Sequence, residues 1–313
     1  MKINYNIVKN CIYHLKYSQN TTKIDNDNEY NLSSSSSCII NHPSCDDKYI
    51  TITRYINYYL DKRGNPIFLK NSIDNNIITF NKIVILDYYF NIEQEYFLDT
   101  PYERNKPYIG IEDVRFFIFN KDIYYIGSYY HNDKINIVSG IYNLGDTVLS
   151  NSIITPSFVS DPNKNEKNWC FFNNNGDINV IYKWYPLYIC KINYDTKNLD
   201  LIKTKPMPKY FSSIRGSTSG IEYNNNIWFI VHYTEDFIVK NNYIHMFVVF
   251  NKEMDLIGHS MPFKFRNCII EYCIGMILNK KNNFVITFSL LDKTTELFIL
   301  SKSFVESLIK YIR

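Results

Sequence analysis

Apolar and polar residues come in short alternating runs along most of the chain, and the runs come in pairs. The clearest pair is Phe116-Phe117-Ile118-Phe119, then the turn Asn120-Lys121-Asp122, then Ile123-Tyr124-Tyr125-Ile126-Gly127-Ser128-Tyr129-Tyr130. Two runs of β-branched and aromatic residues around a short polar turn predict a β-hairpin. The charged hexapeptide Gly110-Ile111-Glu112-Asp113-Val114-Arg115 stands at the entry to its first strand. The same layout of polar motif, apolar run, Asn/Gly/Lys turn and returning run begins again near His42, Lys167, Arg215 and Glu271.

The motif starts lie about 50 to 70 residues apart, near the length of a four-stranded propeller blade with its loops. Two stacked sheets would not put a polar motif at the same phase of every hairpin. The predicted fold class is therefore all-β, a five-bladed β-propeller with a short C-terminal helix. The blades fall near 38–100, 101–160, 161–205, 206–260 and 261–302. Residues 303–313 carry Phe304, Leu308 and Ile312 four apart, which predicts the helix. Before the propeller, residues 1–17 hold apolar pieces at Ile7-Val8 and Ile12-Tyr13, read as one strand. Residues 18–37 are polar and end in five serines. That stretch has little apolar area to offset its ordering entropy and reads as a flexible loop.

Composition supports a packed core, with 45% hydrophobic and 17% aromatic residues. The net charge of +3 and the scattered Lys and Arg argue against nucleic acid or an anionic membrane as partner. No window nears the roughly 20 apolar residues of a membrane span. Residues 1–17 make a poor secretory signal, so an intracellular, cytoplasmic location is expected. The seven cysteines are odd in number and form no CxxC pair, which predicts free thiols and no metal site. No Gly-x-Gly-x-x-Gly, P-loop or Gly-x-Ser-x-Gly elbow occurs, and no cofactor is expected. Oligomeric state is not legible.

In a propeller the inner strands converge on one axis, so the motif residues would gather at one mouth. The candidate set is Asp113, Glu112, Arg115, His42, Arg54, Asn57, Tyr58, Lys167, Asn168, Arg215, Ser217, His232 and Glu271. A carboxylate beside several cations suits transfer of a sugar to or from an anionic group. Tyr55, Tyr58, Trp169, Trp184 and Tyr185 offer faces for sugar stacking. Each feature also has a plainer reading. Glu112, Asp113 and Arg115 could be a structural ion-pair knot. Lys167 and Arg215 could bridge neighbouring blades. His232 and His245 lie in apolar strands that suit core histidines. Glu271 is either a second pocket carboxylate or a buried partner of an arginine.

The hexapeptide Gly110-Ile111-Glu112-Asp113-Val114-Arg115 resembles the Glu-Asp-x-Arg signature of five-bladed propellers that act on β-mannosides. These are the glycoside phosphorylases of family 130 and the related β-1,2-mannosyltransferases. Asn41-His42-Pro43-Ser44, Arg54-Tyr55-Ile56-Asn57-Tyr58, Lys167-Asn168-Trp169, Arg215-Gly216-Ser217, Val231-His232, Tyr243-Ile244-His245 and Ile270-Glu271-Tyr272 resemble pieces of such propellers in the same order.

The resemblance implies inverting mannosyl transfer in one displacement, from or to a sugar phosphate or sugar nucleotide. Asp113 aligns with the family's acid/base, Arg115 with a residue that orients it or meets an anion, and Lys167 with a lysine that faces phosphate. The chain departs from the pattern between the second and third predicted blades. Residues 140–161 contain no arginine, so the family's paired phosphate ligands are missing there. Two readings of different class stand side by side: a mannosyltransferase or phosphorylase, and a non-catalytic propeller that binds glycan or protein.

Overall fold

The computed structural model of the chain describes residues 11–18, 21–25, 28–70, 76–99, 106–150, 152–161, 163–235 and 242–312. These form an all-β protein with one short α-helix. In chain order, β1 (Cys11–Ser18) and β2 (Thr21–Asp25) come first. β3 (Asn28–Asn41) and β4 (Tyr49–Ile56) follow, and then a small ribbon of β5 (Tyr58–Leu60) and β6 (Pro66–Phe68). β7 (Ile77–Leu86) and β8 (Ile92–Phe97) complete a sheet ordered β2-β3-β4-β7-β8, with β9 (Tyr108–Ile109) parallel beside β7.

β10 (Ile111–Phe119), β11 (Asp122–His131), β12 (Lys134–Tyr142) and β13 (Ile153–Pro156) form the next ladder. β14 (Cys170–Asn174), β15 (Asp177–Trp184), β16 (Leu187–Asn193) and β17 (Asn198–Lys205) form another. The parallel pair β13–β17 joins these two into one eight-stranded sheet. β18 (Arg215–Gly216) and β19 (Ile221–Tyr223) both pair with β20 (Asn226–Glu235), followed outward by β21 (Asn242–Phe250) and β22 (Leu256–Ser260). The last ladder is β23 (Glu271–Leu278), β24 (Phe284–Leu290) and β25 (Thr294–Leu300), with β1 added at its outer edge. Helix α1 (Lys302–Leu308) leads to β26 (Ile309–Tyr311), which adds to β22.

The first strands of successive ladders touch in a closed ring. β3 contacts β10 and β23, β10 contacts β14, β14 contacts β19, and β19 contacts β23. The apolar cores lie between neighbouring ladders. One joins Ile50 and Ile83 to Phe116 and Tyr125, and the next joins Phe117 and Ile126 to Trp169 and Val180. Trp184 and Ile189 meet Phe229 and Val248. Trp228 and Phe247 meet Phe284 and Phe298. Val285 and Leu297 return to Tyr49 and Val84. A sheet covered on both faces needs strands without strict alternation, and every residue of β4 is buried.

Two expectations change. The serine tract is no loop: Ser33 to Ser37 sit in β3, and all five are buried. Their small side chains suit a crowded inner strand, and all but Ser34 find hydrogen-bond partners there. The Ser33 hydroxyl donates to the Tyr58 carbonyl at 2.6 Å, and the Ser37 hydroxyl bonds that of Thr53 at 2.8 Å. Composition alone misread a polar strand whose hydrogen bonds are made by tertiary partners. The C-terminal helix stops at Leu308 and yields to β26. Its start is capped by Ser301, whose hydroxyl accepts from the Phe304 amide at 3.2 Å. Ile7 and Val8 lie outside the described residues. No helix among the described residues is long and apolar enough to cross a membrane.

Candidate active site

The carboxylates are aimed by a defect in a strand. β10 and β11 slip register between Glu112 and Arg115, and Asp113 takes a φ of +52°. A bulge re-aims side chains that a regular pleat would send to opposite faces. Glu112 and Asp113 consequently meet the same guanidinium. Arg54 Nη2 donates to Glu112 Oε1 at 2.6 Å, and Nη1 reaches Asp113 Oδ1 at 3.4 Å. Arg54 Nε donates to the Thr79 hydroxyl at 3.3 Å. The Ser36 hydroxyl donates to Asp113 Oδ1 at 2.8 Å. Asp113 Oδ2 has no hydrogen-bond partner among the described residues, and the side chain is 21% exposed. One oxygen is anchored and the other faces outward.

Arg115 works from below. It is buried, and all three of its donor positions are used. Nε donates to the Ser217 carbonyl at 2.6 Å, Nη1 to the Asp113 carbonyl at 3.0 Å, and Nη2 to the Tyr272 hydroxyl at 2.8 Å. It therefore fixes the Asp113 backbone rather than its carboxylate. The Tyr272 hydroxyl in turn donates to Asn168 Oδ1 at 2.9 Å. The Ser217 hydroxyl shares a hydrogen bond of 2.8 Å with His232 Nδ1. The rings of His232, Tyr243 and Tyr272 pack with centroids 5.3 to 5.6 Å apart. Lys167 is exposed, and its charge acts on Glu112. Arg215 is exposed, and its charge acts on His232 and Tyr243.

A third carboxylate joins the cluster from the turn after β24. Asp292 Oδ1 accepts from the Ser35 hydroxyl at 2.6 Å, and Oδ2 accepts from the Tyr58 hydroxyl at 3.4 Å. Burial raises the pKa of Asp292, and Arg54 opposes that rise. Burial likewise raises Glu112, against the pull of Arg54. Burial drives the Tyr272 and Tyr58 phenols up. His232 is pushed well below the ordinary imidazole value, first by burial and then by His245 and Arg115. These groups gather three carboxylates, Glu112, Asp113 and Asp292, with several hydroxyls around the Arg54 guanidinium.

Six candidates behave differently from the sequence reading. His42 lies at the opposite end of the central axis, six residues beyond Ser36 along the chain, on the order of 20 Å in a strand. There it lines a cavity of about 400 Å³ with Ile40, Phe116 and Met276, and its Nδ1 accepts from the Ser44 amide at 3.1 Å. Glu271 is buried and holds the loop before β23, accepting from the amides of Phe265, Arg266 and Cys268 at 2.5, 2.9 and 2.6 Å. Its partners are backbone amides, and no arginine side chain is among them. Asn57 ties down the chain before β7: its Nδ2 donates to the Asn76 carbonyl at 2.8 Å, and its Oδ1 accepts from the Ile78 amide at 2.9 Å. Trp169, offered as a stacking face, is buried with its indole N–H donating to Glu166 at 3.2 Å. Tyr55 and Trp184 are buried as well.

Sequence reasoning missed Asp292, Ser35, Ser36, Tyr272 and Tyr243. Tyr272 was within reach, because neighbours in a strand face opposite ways and Glu271 is turned toward its loop.

No family model and no curated protein matches the sequence. Solved structures do match in fold. The β-1,2-mannobiose phosphorylase of Listeria innocua is similar at a TM-score of 0.59 and 10% identity, over 89% of this chain and 92% of that one. A mannose phosphorylase of Leishmania mexicana, solved with a phosphate ion, gives 0.54 and 10%, over 96% and 92%. A GDP-Man-dependent mannosyltransferase of Leishmania mexicana gives 0.50 and 12%, over 87% of each chain. At such identities the likeness establishes the fold: all-β, with curled sheets, like these propeller-like enzymes.

Proposed function

We propose that the protein is a carbohydrate-active enzyme, a five-bladed β-propeller that moves a mannosyl group between an anionic leaving group and a sugar hydroxyl. The ring of inner strands and the cores between neighbouring ladders support the count of five. The observation that carries the function is the state of Asp113. Its Oδ1 is held by Ser36 and Arg54, its carbonyl is held by Arg115, and its Oδ2 is left for a ligand. An anchored carboxylate with one outward oxygen suits a general acid/base.

In the transfer direction Asp113 takes the proton of the acceptor hydroxyl. In the reverse direction the acid form protonates the glycosidic oxygen. Displacement in a single step inverts the anomeric centre. Asp292 and Tyr58, joined by the hydrogen bond that the Tyr58 hydroxyl donates, offer acceptor oxygens to sugar hydroxyls. Lys167 and Arg215, with no ion pair among the described residues, meet the anionic group. They stand in for the arginine pair that residues 140–161 lack. Sugar and sugar-phosphate or sugar-nucleotide ligands are the expected partners.

The test is donor consumption. Wild-type protein is incubated with mannose-1-phosphate or GDP-mannose and manno-oligosaccharides, and the product anomer is read by NMR. Asp113→Asn should abolish turnover while keeping the unfolding midpoint. If wild type consumes no donor but still binds manno-oligosaccharide, the glycan-binding reading replaces this one.

A further inference from the structure

Beyond Lys167 and Arg215, a cleft of about 390 Å³ opens between the ladder of β14–β17 and that of β18–β22. Its walls carry four cations, Lys164, Lys167, Lys183 and Arg215, against one carboxylate, Glu166. That carboxylate is already satisfied. Glu166 accepts from the Trp169 indole at 3.2 Å and the Tyr182 hydroxyl at 2.9 Å, and Lys164 lies 3.9 Å away. Lys164 itself donates to the Tyr182 hydroxyl at 2.5 Å. This leaves Lys167, Lys183 and Arg215 without an acidic partner among the described residues. Lys183 rests over the Tyr188 ring at 5.4 Å, with its ammonium exposed.

A second observation concerns Trp184. The residue is 2% exposed, lines the cleft, and its indole N–H has no acceptor. An indole nitrogen can only donate, and leaving a buried donor unpaired is unfavourable. The backbone comes close to it because position 216 is glycine. A Cβ there would lie 3.3 Å from Trp184 Nε1, 2.4 Å from the Asn168 carbonyl and 2.3 Å from Cys170 Sγ. The unsatisfied groups lining the cleft are thus donors and cations, which suits an acceptor with negative charge.

The cleft also communicates with the carboxylates. Asn168 lines it and accepts from Tyr272, which in turn accepts from Arg115 beneath Asp113. Lys167 lines it and acts on Glu112. Its volume is in the range of small-molecule pockets, which run from roughly 300 Å³ upward, and exceeds the needs of one phosphoryl group.

We infer that this lateral cleft is a diphosphate site, with Lys183, Arg215 and the Trp184 indole N–H as its specificity determinants. It takes the diphosphate of a donor whose sugar lies at Asp113. The sugar end of this inference rests on the transfer reading; the diphosphate end does not. Three cations without an acidic partner on its walls, Lys167, Lys183 and Arg215, favour an anion with more than one phosphoryl group over a single one.

The experiment is calorimetric titration of the full-length protein with pyrophosphate, a nucleoside diphosphate, orthophosphate and sulfate at one fixed ionic strength. Pyrophosphate and the nucleoside diphosphate should bind at least about 10-fold tighter than orthophosphate or sulfate. Lys183→Ala and Arg215→Gln should each weaken pyrophosphate about 10-fold, the loss of one charge-assisted bond. Trp184→Phe, compared at matched folded fraction, should weaken it by a smaller factor. Equal affinity for pyrophosphate and sulfate, or no effect of Lys183→Ala, overturns the inference even if mannosyl transfer is found. Tight, Lys183-dependent pyrophosphate binding in a protein that transfers no sugar upholds the cleft and removes the transfer reading.

Discussion

Arg54 Nη2 lies 2.6 Å from Glu112 Oε1 while its Nη1 reaches Asp113 Oδ1 at 3.4 Å, so one buried guanidinium from β4 holds the two carboxylates of β10. The side chain of Arg54 is 8% exposed and that of Glu112 is 20%. Removing one partner of such a pair strands the other charge. Arg54→Met should therefore cost about 3 kcal/mol or more in urea unfolding and abolish donor consumption. Arg54→Lys keeps the charge but loses the fork, since an ammonium cannot serve both carboxylates and Thr79 with one geometry. It should recover most of the stability and little of the activity. Equal activity in the lysine variant would mean that charge alone, and not the paired geometry, sets Asp113.

The backbone at Asp113 decides which substitutions report on chemistry. Its φ of +52° is left-handed, a region that Asn and Asp tolerate and most side chains do not. Asp113→Asn should keep the fold and remove turnover. Asp113→Val should remove turnover and also cost about 1–2 kcal/mol through the strained φ. Circular dichroism melts of the two variants side by side separate the effects.

Stability should fall on the acid side because of the histidines. Neither ring nitrogen of the buried His245 has a hydrogen-bond partner, and burial, then Lys264, lowers its pKa to about 3. Its unfolded value is near 6.5. As pH falls from 6.5 toward 3, the unfolded chain takes up a proton that the folded chain refuses. The contribution is fully present above 6.5 and is lost on the way down, at up to about 1.4 kcal/mol per pH unit. His232 acts in the same direction. Glu112 and Asp292 oppose it. Their raised values let the folded chain hold protons that the unfolded chain has shed, so they weaken folding as pH rises through and above the ordinary carboxylate range, and acidification relieves that penalty. His245→Gln should flatten the acid limb, measured as urea midpoints from pH 7.5 to 4.5. An unchanged slope would show that His245 titrates normally.

Hairpins with turns such as Asn120-Lys121-Asp122 were legible because tight turns and apolar runs are local properties. The pairing of Arg54 with Glu112 and Asp113 was not; only the motifs were. The serine tract shows why. Ser36 serves Asp113 from 77 positions away in the chain, and no pattern within 18–37 announces that partner. Asp292 was hidden for a related reason. It sits in a hairpin turn with φ of +49°, where aspartate is ordinary and excites no interest. The misplacing of Glu271 was an error of phase. In a strand one step of sequence exchanges the faces, and Tyr272, not Glu271, reaches Arg115. His42 was misplaced by assuming that each motif starts at the same mouth, whereas β3 had already passed that mouth at Ser36.

β23 packs closely against β3 in the inner ring, and Gly275 is the residue that permits it. A Cβ at 275 would lie 2.1 Å from Thr287 Oγ1, 2.7 Å from the Ile39 nitrogen and 3.0 Å from Cys38 Cα. Thr287 is itself committed, donating to the Ser37 carbonyl at 2.6 Å. Gly275→Ala should therefore push β3 outward rather than rotate one side chain, at a cost of about 1–3 kcal/mol. Because β3 carries Ser35 and Ser36 to Asp292 and Asp113, the same change should lower transfer more than it raises the apparent KM. Gly275→Ala combined with Thr287→Ala discriminates the cause. The double variant removes the side-chain clash but leaves the one with the Ile39 backbone, so it should recover neither stability nor activity. Full recovery would show that Thr287 alone fills the space, and that the spacing between the inner strands is not what aligns the site.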